Sequence, residues 1–247
     1  MEELQQAIEL ELGKQHRLEK WPTRLGTDLA QCPGIDLRAR VAALKEVVGL
    51  EEAATLLKQH PSLLVRVHPA EVPARLDAIA AAMGTDRKAI LGLCTRVKGA
   101  AMILQMLPNR TAERVEALCS VMQLTPKELL KKCTKCAIVL RVEPGAVHSR
   151  AAALGDGLGL DAAGVAELCR RSPACLIVPS STVVAAVEAV QVALGVCREE
   201  AVQLCLGCPS LLQQSPGSVG AKARELTKHL GLQGEGFAKH MVRQQPT

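Results

Sequence analysis

Cysteine and the basic residues are the side chains of this chain whose spacing could do chemistry. Cys133-Thr-Lys-Cys136 and Cys205-Leu-Gly-Cys208 each have the spacing of half a four-thiolate zinc site. A cation returns at Arg40, Arg75, Arg114, Arg150 and Lys222, with Ala186 interrupting the series. Cations at a regular pitch can track a phosphate backbone. The histidines, His16, His60, His68, His148, His229 and His240, are scattered, and none stands at ligand or catalytic spacing from a cysteine or carboxylate. No Gly-rich phosphate loop, metal triad or nucleophile motif is legible. The expectation is a protein that is not an enzyme and carries no cofactor or metal.

A repeat positions these residues. An apolar residue followed by Gly stands at Val48-Gly49, Met83-Gly84, Leu158-Gly159, Leu194-Gly195 and Leu230-Gly231, and Met122-Gln123 fills the same slot without Gly. The slots are 35, 39, 36, 36 and 36 residues apart, a period that marks a repeat array. Eight, five and one residues before the slot the side chains are apolar, as in Val41, Leu44 and Val48 or Leu76, Ile79 and Met83. Steps of three and four place them on one helical stripe. Each repeat therefore opens with a helix of about three turns, the six first helices starting near residues 37, 72, 111, 147, 182 and 219. The slot residue fits a left-handed helix end, where Gln123 costs about 1 kcal/mol against Gly.

Asp86, Thr125 and Asp161 follow the slot as N-cap types, and Thr125-Pro126-Lys127-Glu128 has the form of a capping box. A second helix begins there, with Leu56, Leu91, Leu130, Ala166 and Val202 expected on its buried side. It ends at His60-Pro61-Ser62-Leu63-Leu64, Ser172-Pro173-Ala174-Cys175-Leu176 and Cys208-Pro209-Ser210-Leu211-Leu212. Proline cannot continue a helix, so it opens a tight turn whose leucines pack between neighbours. Ala101-Met102-Ile103-Leu104 and Ala137-Ile138-Val139-Leu140 hold the same place without Pro. Residues 1–36 fit the register poorly and read as an N-terminal helical segment, with Cys32-Pro33-Gly34-Ile35 as the end of a degenerate leading repeat. Residues 37–247 form the array; its last second helix reaches Pro246, before the Leu pair that would follow.

Composition agrees with an all-α chain. Hydrophobic residues make up 48% of 247, nearly all Ala, Val and Leu, with one Trp, one Phe and no Tyr. So few aromatics argue against base-stacking platforms. The net charge of +5 admits a polyanion partner without requiring one. No apolar run approaches the ~20 residues of a membrane span, and the acidic, amphipathic start is neither a signal peptide nor an Arg/Ser-rich presequence. A soluble protein is expected.

The register then decides between the two chemistries. Cys94, Cys133, Cys169 and Cys205 all stand ten residues after the slot, on the second helix. Repeats stack at ~10 Å, so the two Cys pairs would lie ~20 Å apart, far beyond the ~2.3 Å of a zinc–thiolate bond. Small apolar packing is the reading, in a reducing compartment. The basic residues stand nine before the slot, beside the buried stripe, where their side chains should emerge along one edge. Arg38, Arg110, Arg224 and Lys228 stand near some of them. A plainer alternative is that these stems cover core surface or pair with Glu71 and Glu113.

The Leu-Gly-Leu steps at 158–160 and 230–232, the Pro-Ser-Leu-Leu turns at 61–64 and 209–212 and the helix, helix, turn order resemble the repeat of the mitochondrial transcription termination factor family, mTERF. The resemblance spans residues 37–247 and departs from the pattern at Gln123 and at the two turns without Pro. It implies an α-solenoid of about six repeats, right- or left-handed, with a basic concave groove for nucleic acid. It further implies a mitochondrial or chloroplast protein of transcription termination, transcription regulation or transcript processing. The expected ligand is duplex DNA or RNA, the expected state a monomer, with room for a protein partner and none for a membrane. A protein-binding α-solenoid scaffold is the alternative; its face would carry apolar or acidic patches instead of a cationic row.

Overall fold

The computed structural model describes residues 2–16, 34–208, 211–212 and 214–229. Its long helices are α1 (Glu2–Leu12), α2 (Leu37–Val48), α3 (Leu50–Gln59), α4 (Val72–Met83), α5 (Arg87–Arg96) and α6 (Pro108–Met122). They continue as α7 (Pro126–Cys136), α8 (Pro144–Leu158), α9 (Ala162–Arg171), α10 (Ser180–Leu194), α11 (Arg198–Gly207) and α12 (Pro216–His229). No strand occurs among the described residues. Helices α2, α4, α6, α8, α10 and α12 are the first helices of six repeats, and α3, α5, α7, α9 and α11 are second helices. Trp21, Cys32, Pro209, Gly231, His240 and Pro246, and the side chains of Ala223, Arg224, Leu226 and Lys228, lie outside the described residues.

The chain groups into two compact units. Unit 1 holds residues 1–116 and 124–141, and unit 2 holds residues 117–123 and 142–247. Within unit 1, α2 packs on α1 and α3, and α4 packs on α5 and α7. Within unit 2, α10 packs on α8, α11 and α12.

The apolar stripe of the first helices forms the core as its spacing requires. Val41, Leu44, Leu76, Ile79, Met83, Val115, Leu118, Met122, Leu154 and Val187 are buried. On the second helices Leu56, Ala166 and Val202 are buried as expected, and the stripe is rotated only in α5 and α7. Leu91 and Leu130 are only half-buried, and their neighbours Ile90 and Leu129 are fully enclosed instead. Cys94, Cys133, Cys169 and Cys205, ten after the slot, sit in the core.

Helix starts differ from the sequence reading in four repeats: α6, α8, α10 and α12 begin at residues 108, 144, 180 and 216, each two or three residues early. The reason is proline. Pro108, Pro144 and Pro216 are first helical residues, and Pro179 is the N-cap of α10. A proline at the first position presets φ and needs no N–H partner. Pro69 stands at the same distance before its slot and opens a 3-10 turn (Pro69–Glu71) that leads into α4.

Caps follow the sequence closely. Asp36, Asp86 and Asp161 accept from Ala39, Ala89 and Gly164 backbone N–H groups at 2.9, 2.7 and 2.8 Å. Thr125 and Glu128 form the capping box, and Cys197 forms a second one with Glu200. Each second helix then tightens into a short turn: a single α-helical turn at Leu63–Arg66, and 3-10 turns at Ala100–Gln105, Ala137–Arg141 and Pro173–Leu176. The two turns without proline form as the others do, with Ile103, Leu104, Val139 and Leu140 buried. The extra residues of the second repeat are absorbed at Gly99, at φ 84°. Side chains also tie second helices together: Gln59 Nε2 donates to Thr95 O at 2.7 Å and Arg171 Nη1 to Leu206 O at 3.1 Å, both C-terminal carbonyls of the next second helix.

At the other end of the repeat the slot residue turns the chain. Gly84, Gly159 and Gly195 are left-handed at φ 61°, 68° and 64°. Gln123 takes the same conformation at φ 51°, with its side chain exposed. A β-carbon is strained there, so Gln123→Gly should raise stability by about 1 kcal/mol, or about 2–4 °C in Tm. Thermal unfolding of the variant beside the parent checks this; an unchanged or lower Tm would mean that the Gln123 side chain stabilises the corner.

Candidate nucleic-acid interface

The basic residues nine before the slot do not emerge as a free row. They reach back to the turn that closes their own repeat. Arg40 Nη1 donates to Leu64 O at 2.5 Å. Arg75 Nη1 donates to Leu104 O at 3.1 Å and Met106 O at 2.8 Å. Arg150 Nη1 donates to Leu176 O and, at 3.1 Å, to Ile177 O. Leu64, Leu104 and Leu176 are the equivalent residue of three turns, the second of the apolar pair. No backbone N–H reaches these carbonyls. An arginine fork fits two such acceptors at once.

The expectation of side chains along an exposed edge is therefore corrected at Arg75, which is only 7% exposed. Its Nε and Nη2 are held by Glu71 Oε2 at 3.2 and 2.6 Å, an i,i+4 pair on the same helix. The guanidinium holds the Glu71 carboxyl below its usual range, first through this hydrogen bond and then through its charge. Arg40 and Arg150 are half-buried. Ala186 is fully buried, and Lys222 is exposed with Nζ 2.8 Å from Gln214 Oε1. Arg38, beside the series, pairs with Glu11 at 2.7 Å.

Arg114 behaves differently. It lies half-buried on α6 in unit 1, close enough to Arg141 for the two charges to repel. Arg66, exposed at the end of the first turn, repels Arg141 as well. Burial above all, and then these two charges, push the Arg141 guanidinium down from its usual value. Its Nη1 lies 3.9 Å from Met102 Sδ, and no carboxylate pairs with it among the described residues. His60, half-buried at the end of α3, is also pushed down, by burial first and then by Arg141. Near neutral pH the imidazole is thus uncharged, and the cations that act on one another here are arginines. The sequence reading missed Arg66 and Arg141 because neither recurs at a fixed place in the repeat.

Other arginines are spent on carboxylates. Arg87 pairs with Asp77 at 2.5 Å, and Arg170 and Arg171 with Glu167 at 2.9 and 2.7 Å. The cysteines of the second helices are packing residues: burial pushes the Cys94, Cys169 and Cys205 thiols up to about 12. They remain neutral, and among the described residues no three His, Cys, Asp or Glu side chains gather to hold a metal. No single helix among them is long and apolar enough to cross a membrane.

The helix, helix, turn unit with its left-handed slot and paired-apolar turn agrees with the mTERF family model, which matches residues 18–247. The chain belongs to the mTERF family. No curated protein matches it. An mTERF protein is a helical-repeat solenoid, and the family is non-enzymatic and typically works in organellar gene expression. In this mTERF chain the recurring arginine clasps the closing turn in three repeats, at Arg40, Arg75 and Arg150, and arginines converge elsewhere, at Arg66, Arg114 and Arg141.

Arg75→Ala leaves two carbonyls unpaired and should lower stability by about 2–4 kcal/mol, read by urea unfolding. Arg40→Ala and Arg150→Ala, less buried, should lose less; equal losses at all three would contradict the burial argument. Glu71 has a depressed carboxyl, so its contribution is present above about 4.5, the unperturbed value, and is lost as pH falls through the lower folded value. Glu71→Gln should flatten the fall in stability below that pH. An unchanged acid limb would show that the pair contributes nothing to folding.

Proposed function

We propose that the chain binds the phosphate backbone of nucleic acid, duplex DNA or RNA, and acts through it in organellar transcription termination, transcription regulation or transcript processing. The observation that carries this reading is the gathering of Arg66 and Arg114 around a half-buried Arg141 that meets no carboxylate among the described residues. Like charges brought together in a partly dehydrated place repel strongly. A multivalent anion relieves that repulsion, and arginine suits phosphate because its fork donates two parallel hydrogen bonds. Membership of the mTERF family supports the same ligand.

Arg114 and Lys222 remain in this reading as backbone contacts. Arg40, Arg75 and Arg150 act indirectly, by holding the turns beside which the contacts stand. Phosphate contacts carry affinity and register but no base sequence. The scaffold alternative has less support: the most exposed large apolar side chains, Leu10, Leu107 and Val192, are far apart in the chain, and Val47, Leu50 and Ile138 are only partly exposed.

Binding of labelled duplex DNA and single-stranded RNA across a salt series tests the proposal. Arg141→Ala and Arg66→Ala should each weaken binding and reduce the log–log salt slope by about 0.7–0.9, the contribution of one phosphate. Arg150→Ala should lower Tm and leave the slope near that of the parent. A parent protein that binds neither ligand at low salt, or an Arg141→Ala variant with the parent slope, would overturn the assignment.

A further inference from the structure

Helix α7 carries a second cationic surface. Lys127, Lys131 and Lys135 stand at i, i+4 and i+8 along it, and all three are exposed. The opposite side holds Leu129 and Cys133, both fully buried, so the lysine side is fixed outward. The row spans ~12 Å at a pitch of ~6 Å. Glu128 is the only acid on the helix, and its carboxylate is committed to the N-cap, accepting from Thr125 N and Oγ1 at 2.8 Å each. No carboxylate pairs with any of the three lysines among the described residues.

Such a row works against the helix that bears it. Like charges at i,i+4 destabilise a helix, and Lys127 in the first turn opposes the helix dipole. A surface selected for folding alone would alternate signs. The row also lacks the features of a protein-binding face. Lysine is depleted at protein interfaces, which are built around aromatic and apolar anchors. Here the other exposed residues of the helix are Pro126, Glu128 and Thr134, and just past it Ile138 is partly exposed. Regular point charges with no anchor match a polyanion backbone.

We infer that the α7 lysines are a second contact for the phosphate backbone, extending the path of a strand held at Arg141, which follows the helix in the same unit. This inference rests on the nucleic-acid reading above. It separates the contacts of unit 1 into two kinds: a partly dehydrated arginine anchor and a fully hydrated lysine track. The track supplies affinity that salt removes readily, and it does not discriminate bases.

The test compares the parent, Arg141→Ala and the triple variant Lys127→Gln, Lys131→Gln, Lys135→Gln, with duplex DNA and single-stranded RNA as probes. The triple variant should reduce the salt slope by about 2 on single strands and about 3 on duplex. Its Tm without ligand should equal or exceed that of the parent, because repulsion has been removed. Chemical acetylation adds a direct readout: bound nucleic acid should protect Lys127, Lys131 and Lys135 and leave the exposed Lys58 of α3 reactive. A triple variant with the parent slope, beside an Arg141→Ala variant that binds weakly, would overturn the track and leave the anchor standing. Loss of binding to an acidic polypeptide, with nucleic-acid binding unchanged, would assign the track to a protein partner and overturn the inference. A parent that binds neither nucleic acid would overturn both readings together.

Discussion

A short turn that ends a helix and runs at once into a proline-led helix leaves carbonyl oxygens that no backbone donor can reach. That constraint recurs at the turns reached by Arg40, Arg75 and Arg150, and much of the architecture can be read as its consequence. In three repeats the solution is an arginine on the first helix whose guanidinium reaches the second apolar residue of the turn. A buried carbonyl without a partner is costly, so the clasp fixes where the turn sits against the first helix. The buried Leu or Cys side chains of the turn then lie in register with the helical stripes. At the opposite end the chain reverses through one residue with positive φ, mostly glycine, whose backbone N–H donates back into the last turn of the first helix.

The same logic sorts the cations. A net charge of +5 would suggest a diffuse basic surface. In the folded chain many of the positive groups are already engaged. Some cap carbonyls, as Arg40, Arg75, Arg150 and Arg171 do. Others neutralise carboxylates, as Arg38, Arg87 and Arg170 do. Arg141 and the α7 lysines stand among other cations and meet no acid among the described residues. In unit 1 such cations stand at Arg141 and on α7, a helix with four lysines and one glutamate. Affinity for a polyanion depends on this remainder and not on the total.

Periodicity made much of the fold legible. The slot glycines, the apolar stripe of the first helices, the N-caps at Asp86, Thr125 and Asp161 and the packing role of the slot cysteines all follow from local rules, because each depends on a few neighbouring residues. The prolines fifteen before the slot, at 69, 108, 144 and 216, carried an equally clear signal for the helix starts. They pass unnoticed when the stripe alone sets the boundary. The rotation of the second-helix stripe toward Ile90 and Leu129 was not legible, since one step along a helix turns a side chain by about 100° and only packing selects the winner.

The candidate site divides along the same line. The sequence by itself determined that a cation recurs nine residues before five of the six slots, and that the α7 segment carries lysines at helical spacing. It determined the repeat, its period and its two kinds of turn, because those are fixed by backbone conformations that particular residue types permit or forbid. Only the tertiary structure decided what each cation faces. A guanidinium is long enough to reach solvent, a carboxylate or a carbonyl of its own repeat, and composition is silent on that choice. The fold turned the recurring arginines inward to the turns and brought Arg66, Arg114 and Arg141, from three separate elements, within range of one another. Charge that is distant along the chain becomes a site only when packing places it together.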